Sequence, residues 1–146
     1  MGCGRVGASL AGALDRIGHE VAVIDRDSAA FQRLSPDFSG ERVLGMGFDR
    51  DVLLRAGIED AGAFAAVSSG DNSNIISARV ARETFGVQRV VARIYDPGRA
   101  QVYERLGIPT AQGNEPVLQP RQREAAAAVA AATAQPPAAR TTAPAE

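Results

Sequence analysis

The sequence predicts an α/β domain built on one doubly wound parallel sheet with helices on both faces. Three observations carry this expectation. Short apolar, β-branched runs alternate with helical stretches from residue 2 to about residue 110. A G-x-G-x-x-G pattern, "GCGRVG", stands at residues 2–7. An acid, Asp25, closes the next apolar run 18 residues after the last of those glycines.

Each element follows from its residues. After the glycines, "ASLAGALDRI" places Val6, Leu10, Leu14 and Ile17 on one helical face, and Gly18 supplies the stop. "EVAVID" is a short β-branched strand, followed by Asp27 or Ser28 as N-cap of a helix through Phe31 and Leu34. The alternation repeats as "RVLGM" before a helix in "DRDVLLRAG", then as "AFAAVSS" before "NSNIISARVARETFG". A last repeat is "RVVARIY" followed by "PGRAQVYERLG", with Pro97 placed for a helix N-terminus. Buried strands separated by helices are the pattern of a parallel sheet covered on both sides.

Composition bounds the class. The 146 residues suit one domain, with 45% hydrophobic and 23% charged residues and a formal net charge of −1. No basic surface for nucleic acid is implied. No apolar run reaches the roughly 20 residues that span a bilayer, and no signal-peptide pattern opens the chain. The single cysteine, Cys3, has no disulfide partner and no Cys or His cluster around it, and reads as a small filler in a tight turn. All seven aromatic residues lie between Phe31 and Tyr103, and composition shifts near Pro116. The expected division is therefore a nucleotide-binding body over 1–116 and a low-complexity Ala/Pro-rich tail over 117–146, helix-prone through alanine but broken by Pro136, Pro137 and Pro144 and read as disordered.

The glycines have distinct physical tasks if a pyrophosphate is bound. Gly2 makes the tight turn, Gly4 lets the ligand approach the backbone, and Gly7 allows close packing of helix on strand. The helix that begins there aims free N–H groups at an anion. Asp25 stands where an acid binds ribose hydroxyls, which favours NAD(H) over NADP(H); Arg26 beside it weakens that preference, and a helix-cap neighbour or a solvated strand end is the plainer reading. Arg5 either reaches phosphate oxygens or a neighbouring subunit, or is a solvated arginine at a helix start. "SSGDNSN", Ser68 to Asn74, lies in a strand-to-helix loop where ligands bind open α/β sheets, and caps the helix, contacts ligand, or does both. Arg93 is a charge inside an apolar strand and calls for a carboxylate, phosphate or subunit partner. His19, in a turn, has no relay partners spaced for catalysis.

The succession of "GCGRVGASLAGAL…GHEVAVID", "AGIEDAGAFAAVSSGDNSNIISARVAR" and "ARIYDP" resembles the N-terminal nucleotide-binding domain of TrkA-type potassium-uptake regulators, also described as RCK domains, over residues 2–110. The resemblance implies a Rossmann-like fold. It also implies a non-catalytic, cytoplasmic regulatory subunit that binds NAD(H), or ATP or ADP, assembles as a ring or dimer, and gates a membrane potassium transporter from the inner-membrane surface without inserting itself. The family's glycine loop maps onto Gly2, Gly4, Arg5, Val6 and Gly7, its ribose acid onto Asp25, its ligand-side loop onto Ser68, Ser69, Gly70 and Asn72, and its strand arginine onto Arg93. Asp49 is the nearest match to a Gly-Asp pair that "GFD" interrupts with Phe48. The alternative in another class is the NAD-binding portion of a dehydrogenase.

Two departures accompany the resemblance. Family members carry an apolar strand before the glycine loop, in the centre of a 3-2-1-4-5-6 sheet, and here only Met1 precedes it. The expectation is a start placed too late or a truncated gene, with Met1 an internal methionine and an open, aggregation-prone groove between the flanking strands. After "LGIPT" the family's apolar continuation is replaced by "AQGNEPVLQPRQREAAAAV", read as a frameshift, a divergent tail or a linker.

Overall fold

The computed structural model describes residues 1–112; the expected boundary at 116 and the tail beyond it lie outside the described residues. Helix α1 (Arg5–Arg16) leads into strand β1 (Ala22–Asp25), a 3₁₀ turn (Ser28–Arg33) and strand β2 (Glu41–Leu44). Helix α2 (Arg50–Arg55), strand β3 (Ala63–Ala66), helix α3 (Asp71–Arg79, extended by a π turn over Val80–Thr84) and strand β4 (Arg89–Ile94) follow. Helix α4 (Pro97–Arg105) and strand β5 (Thr110–Gln112) complete the order.

All strand pairs are parallel. β1 pairs with β2 from Ala22↔Glu41 to Asp25↔Leu44, while β3 pairs with β4 from Ala63↔Arg89 to Ala66↔Ala92, and β4 with β5. Successive residues of a strand face opposite sides of the sheet, and the two cores divide that way. Val23 packs with Cys3, Ala8, Ala11, Leu34 and Phe38 beneath α1 and the 3₁₀ turn. Ile24, Val43, Phe64, Ala66, Ala92 and Ile94 pack with Leu53, Ile75, Ala78 and Ala100 beneath α2, α3 and α4. The doubly wound α/β expectation holds.

Between the β1–β2 pair and the β3–β4–β5 sheet, the described residues hold no strand, but Met1 and Gly2 stand in its place. The Gly2 N–H donates to Ile24 O at 2.7 Å, the Met1 amino group donates to Ala65 O at 2.7 Å, and the Val67 N–H donates to Met1 O at 2.9 Å. The expected groove is therefore closed at one end: this two-residue segment bridges both sheets at their carboxyl ends. Burial lowers the pKa of the enclosed Met1 amino group to about 6, opposed in part by the nearby Asp25 carboxylate.

Two further expectations are corrected. The sheet-facing stripe of α1 is Gly7, Ala8 and Ala11, while Val6, Leu10 and Leu14 are half-buried and Ile17 is 64% exposed. A Cβ at Gly7 would overlap the carbonyl oxygen of Gly2, so α1 lies too close to the strand ends for large side chains on that stripe. The helix expected after β1 is a 3₁₀ turn. Asp27 caps it by accepting from the Ala29 N–H at 2.9 Å, and Pro36 bars helical geometry at Ser35 soon after it ends.

Candidate functional site

The carboxyl ends of β1 and β3 meet the glycine loop, and the three glycines differ in what surrounds them. Gly2 has φ +94°, and a Cβ there would lie 2.6 Å from the backbone nitrogen of Ser68. Its lack of a side chain is a packing requirement, as at Gly7. Gly4 is exposed, has an ordinary φ of −73°, and a Cβ there would meet nothing within 4 Å. Packing does not demand glycine at that position, which leaves the surface over it clear for another molecule.

Gly4 is also the N-cap of α1. The helix has no side-chain cap and no acid in its first turn, whereas α2 and α4 are capped by Asp49 and Asp96, and α3 carries Asp71 in its first turn. The N-terminus of α1 thus keeps its positive end and its backbone donors for an outside anion. Arg5 is exposed beside it and Val6 half-buried.

Asp25 ends β1 half-buried, and the structure gives it a task that spacing did not reveal. Its Oδ2 accepts from the Cys3 N–H at 2.7 Å and its Oδ1 from the Asp27 N–H at 2.9 Å. The carboxylate clamps the glycine loop to the strand end, and each oxygen retains a lone pair for a further donor. Burial first, then the nearby Asp25, pushes the Cys3 thiol above its usual range, in keeping with a buried filler. Arg26 is exposed next to Asp25. Asp49 lies on another loop, where its Oδ1 accepts from Asp51 N–H at 2.9 Å and Val52 N–H at 3.3 Å as the cap of α2.

The loop after β3 is held by two residues outside the expected site set, Asn74 and Asp71. Asn74 is fully buried on α3. Its Oδ1 accepts from the Ser68 N–H at 2.9 Å and Oγ at 2.7 Å, and its Nδ2 donates to Ser68 O at 2.9 Å and to Arg93 O at 2.8 Å. Asp71 accepts from Tyr95 N–H at 2.8 Å and Asp96 N–H at 3.1 Å, tying the first turn of α3 to the loop after β4. The signal available in the sequence was a polar Asn on the apolar stripe that Ile75 and Ala78 define. Ser68 thus faces the glycine loop, Ser69 is exposed, and Gly70 caps α3. Asn72 points elsewhere, accepting from Arg99 Nη1 at 3.0 Å. It lines a shallow cavity of about 410 Å³ with Asp96, Gly98, Arg99, Val102 and Tyr103, between the start of α3 and α4.

Arg93 lies on the α1 side of the sheet. A Cβ at Gly7 would lie 3.3 Å from Val67 Cγ2, so Val67 faces α1. The β3–β4 register, carried one step past Ala66↔Ala92, sets Arg93 beside Val67 on that same face. Its guanidinium carbon lies 4.4 Å from the centroid of the Tyr95 ring. The structure therefore gathers Gly2, Gly4, Arg5, Val6, Gly7, Asp25, Ser68 and Arg93 around the carboxyl ends of β1, β3 and β4, with Arg26, Ser69 and Gly70 at the margin and Asp49 and Asn72 in other contacts. His19 follows the far end of α1, so the helix's length, about 18 Å at 1.5 Å per residue, separates it from the loop.

Comparison with known proteins identifies the family and the fold. The family model of the TrkA-N domain matches residues 1–112. The Trk system potassium uptake protein TrkA of Streptomyces coelicolor is 72% identical over 110 residues, which are 75% of this chain and 49% of that protein. A TrkA homolog of Pyrococcus abyssi is 34% identical over 106 residues, 73% of this chain and 47% of that protein. The chain spans about half the length of these curated relatives. Among solved structures, the AMP-bound Kef C-terminal domain of Shewanella denitrificans matches with a TM-score of 0.66 at 22% identity, over 77% of this chain and 68% of that one. The NAD(P)-binding domain of an exopolyphosphatase-related protein from Archaeoglobus fulgidus matches with a TM-score of 0.62 at 19% identity, over 76% and 83%. These two likenesses support the Rossmann-like fold, and with the family match over residues 1–112 and the 72% identity to a TrkA protein, the chain belongs to the TrkA-N domain family.

Proposed function

We propose that this chain is the nucleotide-sensing domain of a potassium uptake system, a regulatory subunit and not an enzyme. The observation that carries the reading is the N-terminus of α1: uncapped, without an acid, open at Gly4, and beside the Asp25 carboxylate that holds the Cys3 N–H. The ligand is an adenine nucleotide, NAD(H) or ATP or ADP. Its phosphates sit on the N–H groups of the first turn of α1, with Arg5 and Arg93 supplying charge, and its ribose hydroxyls take the remaining lone pairs of Asp25. The AMP-bound and NAD(P)-binding structural neighbours, and relatives named for potassium uptake, support this reading.

Regulation then follows from differential binding. A nucleotide shifts the arrangement of the assembled subunit only by as much as its affinity differs between two arrangements, and the shift passes to a membrane transporter partner at the cytoplasmic face. Self-association is supported by Ile76, Val102 and Leu106, which are 47%, 52% and 65% exposed on the outer surfaces of α3 and α4. Among the described residues no helix is long and apolar enough to cross a membrane.

Isothermal titration of the chain with NADH, ATP and ADP tests the proposal. At least one should bind, and Asp25→Asn should weaken it about tenfold while keeping an acceptor for the Cys3 N–H. A folded chain that binds none of the three refutes the reading, and oxidation of an added hydroxy acid with NAD would favour a dehydrogenase.

A further inference from the structure

The side-chain amide of Asn74 has two lone pairs and two N–H groups, and the fold uses all four. Its Oδ1 accepts from the N–H and the Oγ of Ser68, while its Nδ2 donates to the carbonyl oxygens of Ser68 and Arg93. The demand is specific to asparagine. An aspartate would turn a carboxylate toward two carbonyl oxygens, and an apolar residue would leave the Ser68 N–H without its acceptor in a fully enclosed site.

What Asn74 holds is the wall of the glycine loop. Ser68 is gripped at both its N–H and its carbonyl group, and Gly2 packs directly on it: a Cβ at Gly2 would lie 2.6 Å from Ser68 N and 2.7 Å from Ser68 Cα. The preceding link runs the same way, the Val67 N–H donating to Met1 O at 2.9 Å. On its other side Gly2 meets the first turn of α1, because a Cβ at Gly7 would overlap the Gly2 carbonyl oxygen. Gly2 is therefore clasped between Ser68 and α1.

We propose that Asn74 is a positioning residue for the phosphate-binding loop: by fixing Ser68 from within α3, it sets where Gly2, and with it the N-terminus of α1, stands. The inference rests on the nucleotide-binding reading above and gives a role in affinity to a side chain too deeply enclosed to touch the ligand. Without the grip on Ser68, Gly2 loses its backing, and the N–H groups of α1 lose their preset aim at one anion.

The test separates affinity from stability. The full chain, Asn74→Ala and Ile75→Ala are titrated calorimetrically with NADH, ATP and ADP at a temperature where circular dichroism shows each chain folded. Ile75 is the matched control, since it is 5% exposed on the same turn of α3 and its truncation also empties buried space. Asn74→Ala should weaken nucleotide binding about tenfold, and Ile75→Ala should leave it within about twofold. Asn74→Asp keeps the acceptor and removes both donors; it should show a similar loss and takes the place of alanine if that chain does not fold. Unchanged affinity in the folded Asn74 variant, or an equal loss in Ile75→Ala, would overturn the inference while leaving nucleotide binding intact. If neither Asn74 variant folds, hydrogen exchange on the unsubstituted chain decides: saturating nucleotide should slow exchange of the Ser68 N–H, and an unchanged rate overturns the inference. A folded, unsubstituted chain that binds none of the three nucleotides would instead refute the functional reading on which it rests.

Discussion

Serine at position 4 should move stability and ligand affinity in opposite directions. Gly4 caps α1 with φ −73° and ψ −169°, a conformation serine adopts without strain, and its Cβ would project into open space. The Ser Oγ would then accept from the N–H of Val6 or Gly7, the second and third helical positions, giving α1 the cap it lacks. Serine over glycine at an N-cap contributes a few tenths of a kcal/mol, a rise in Tm of about 1–3 °C for a domain of this size. The same hydroxyl consumes a donor that the nucleotide phosphate needs. A hydrogen bond to a charged group contributes about 1.5–3 kcal/mol, so nucleotide affinity should fall about tenfold to hundredfold. Differential scanning calorimetry and isothermal titration on one preparation of Gly4→Ser read both quantities. Gly4→Ala, which adds the Cβ without the acceptor, separates obstruction from competition. Unchanged nucleotide affinity in Gly4→Ser would refute the assignment of this loop to phosphate, and a markedly lower Tm would refute the reading of Gly4 as open.

Three other outcomes follow from the geometry. Asn74→Ala removes a buried side chain with four hydrogen-bond contacts and should destabilise the fold by about 2–4 kcal/mol in denaturant unfolding, against less than 1 kcal/mol if Asn74 is incidental. The Met1 amino group, with a folded pKa of about 6 against 8.0 in the open chain, binds fewer protons folded than unfolded, so stability should rise between pH 6 and pH 8 by up to about 3 kcal/mol and level off above. Chemical denaturation on a His19→Gln background checks that rise, and a flat profile contradicts the enclosure of the amino group. Val102→Asp with Leu106→Glu should lower the assembly state in analytical ultracentrifugation while leaving the Tm within about 2 °C, since both side chains are more than half exposed; an unchanged assembly would place self-association on another face.

The legible part of the fold is the part that local chemistry decides. The β-branched runs became strands, Pro97 opens α4, Gly18 ends α1 at φ +90°, and Asp25 closes β1. Gly2 and Gly7 carry the packing tasks that their motif positions imply, and Gly4 is the open one. What escaped the sequence depends on partners far along the chain. "SSGDNSN" reads locally as a polar loop, but the contacts that define it reach 19 residues to Arg93 and 24 residues to Tyr95. Nothing in the spacing says that Asn74 is a buried brace and Asn72 a surface contact to Arg99. In the same way the sequence reads Asp25 as an acid placed for a ribose, but its hold on the Cys3 N–H is visible only once the loop is folded against β1. Hydrophobicity points to the wrong face of α1 because it ranks leucine above alanine, whereas the contact of Gly7 with Gly2 leaves room only for small residues.

The most direct test of nucleotide binding at the glycine loop is a crystal structure of this chain grown with ADP. The account predicts the diphosphate on the N–H groups of Arg5, Val6 and Gly7, over Gly4, with ribose hydroxyls at Asp25 and the Arg93 guanidinium within hydrogen-bond distance of a phosphate oxygen. ADP seated instead in the cavity between Asn72 and Arg99, with the first turn of α1 unoccupied, would contradict it.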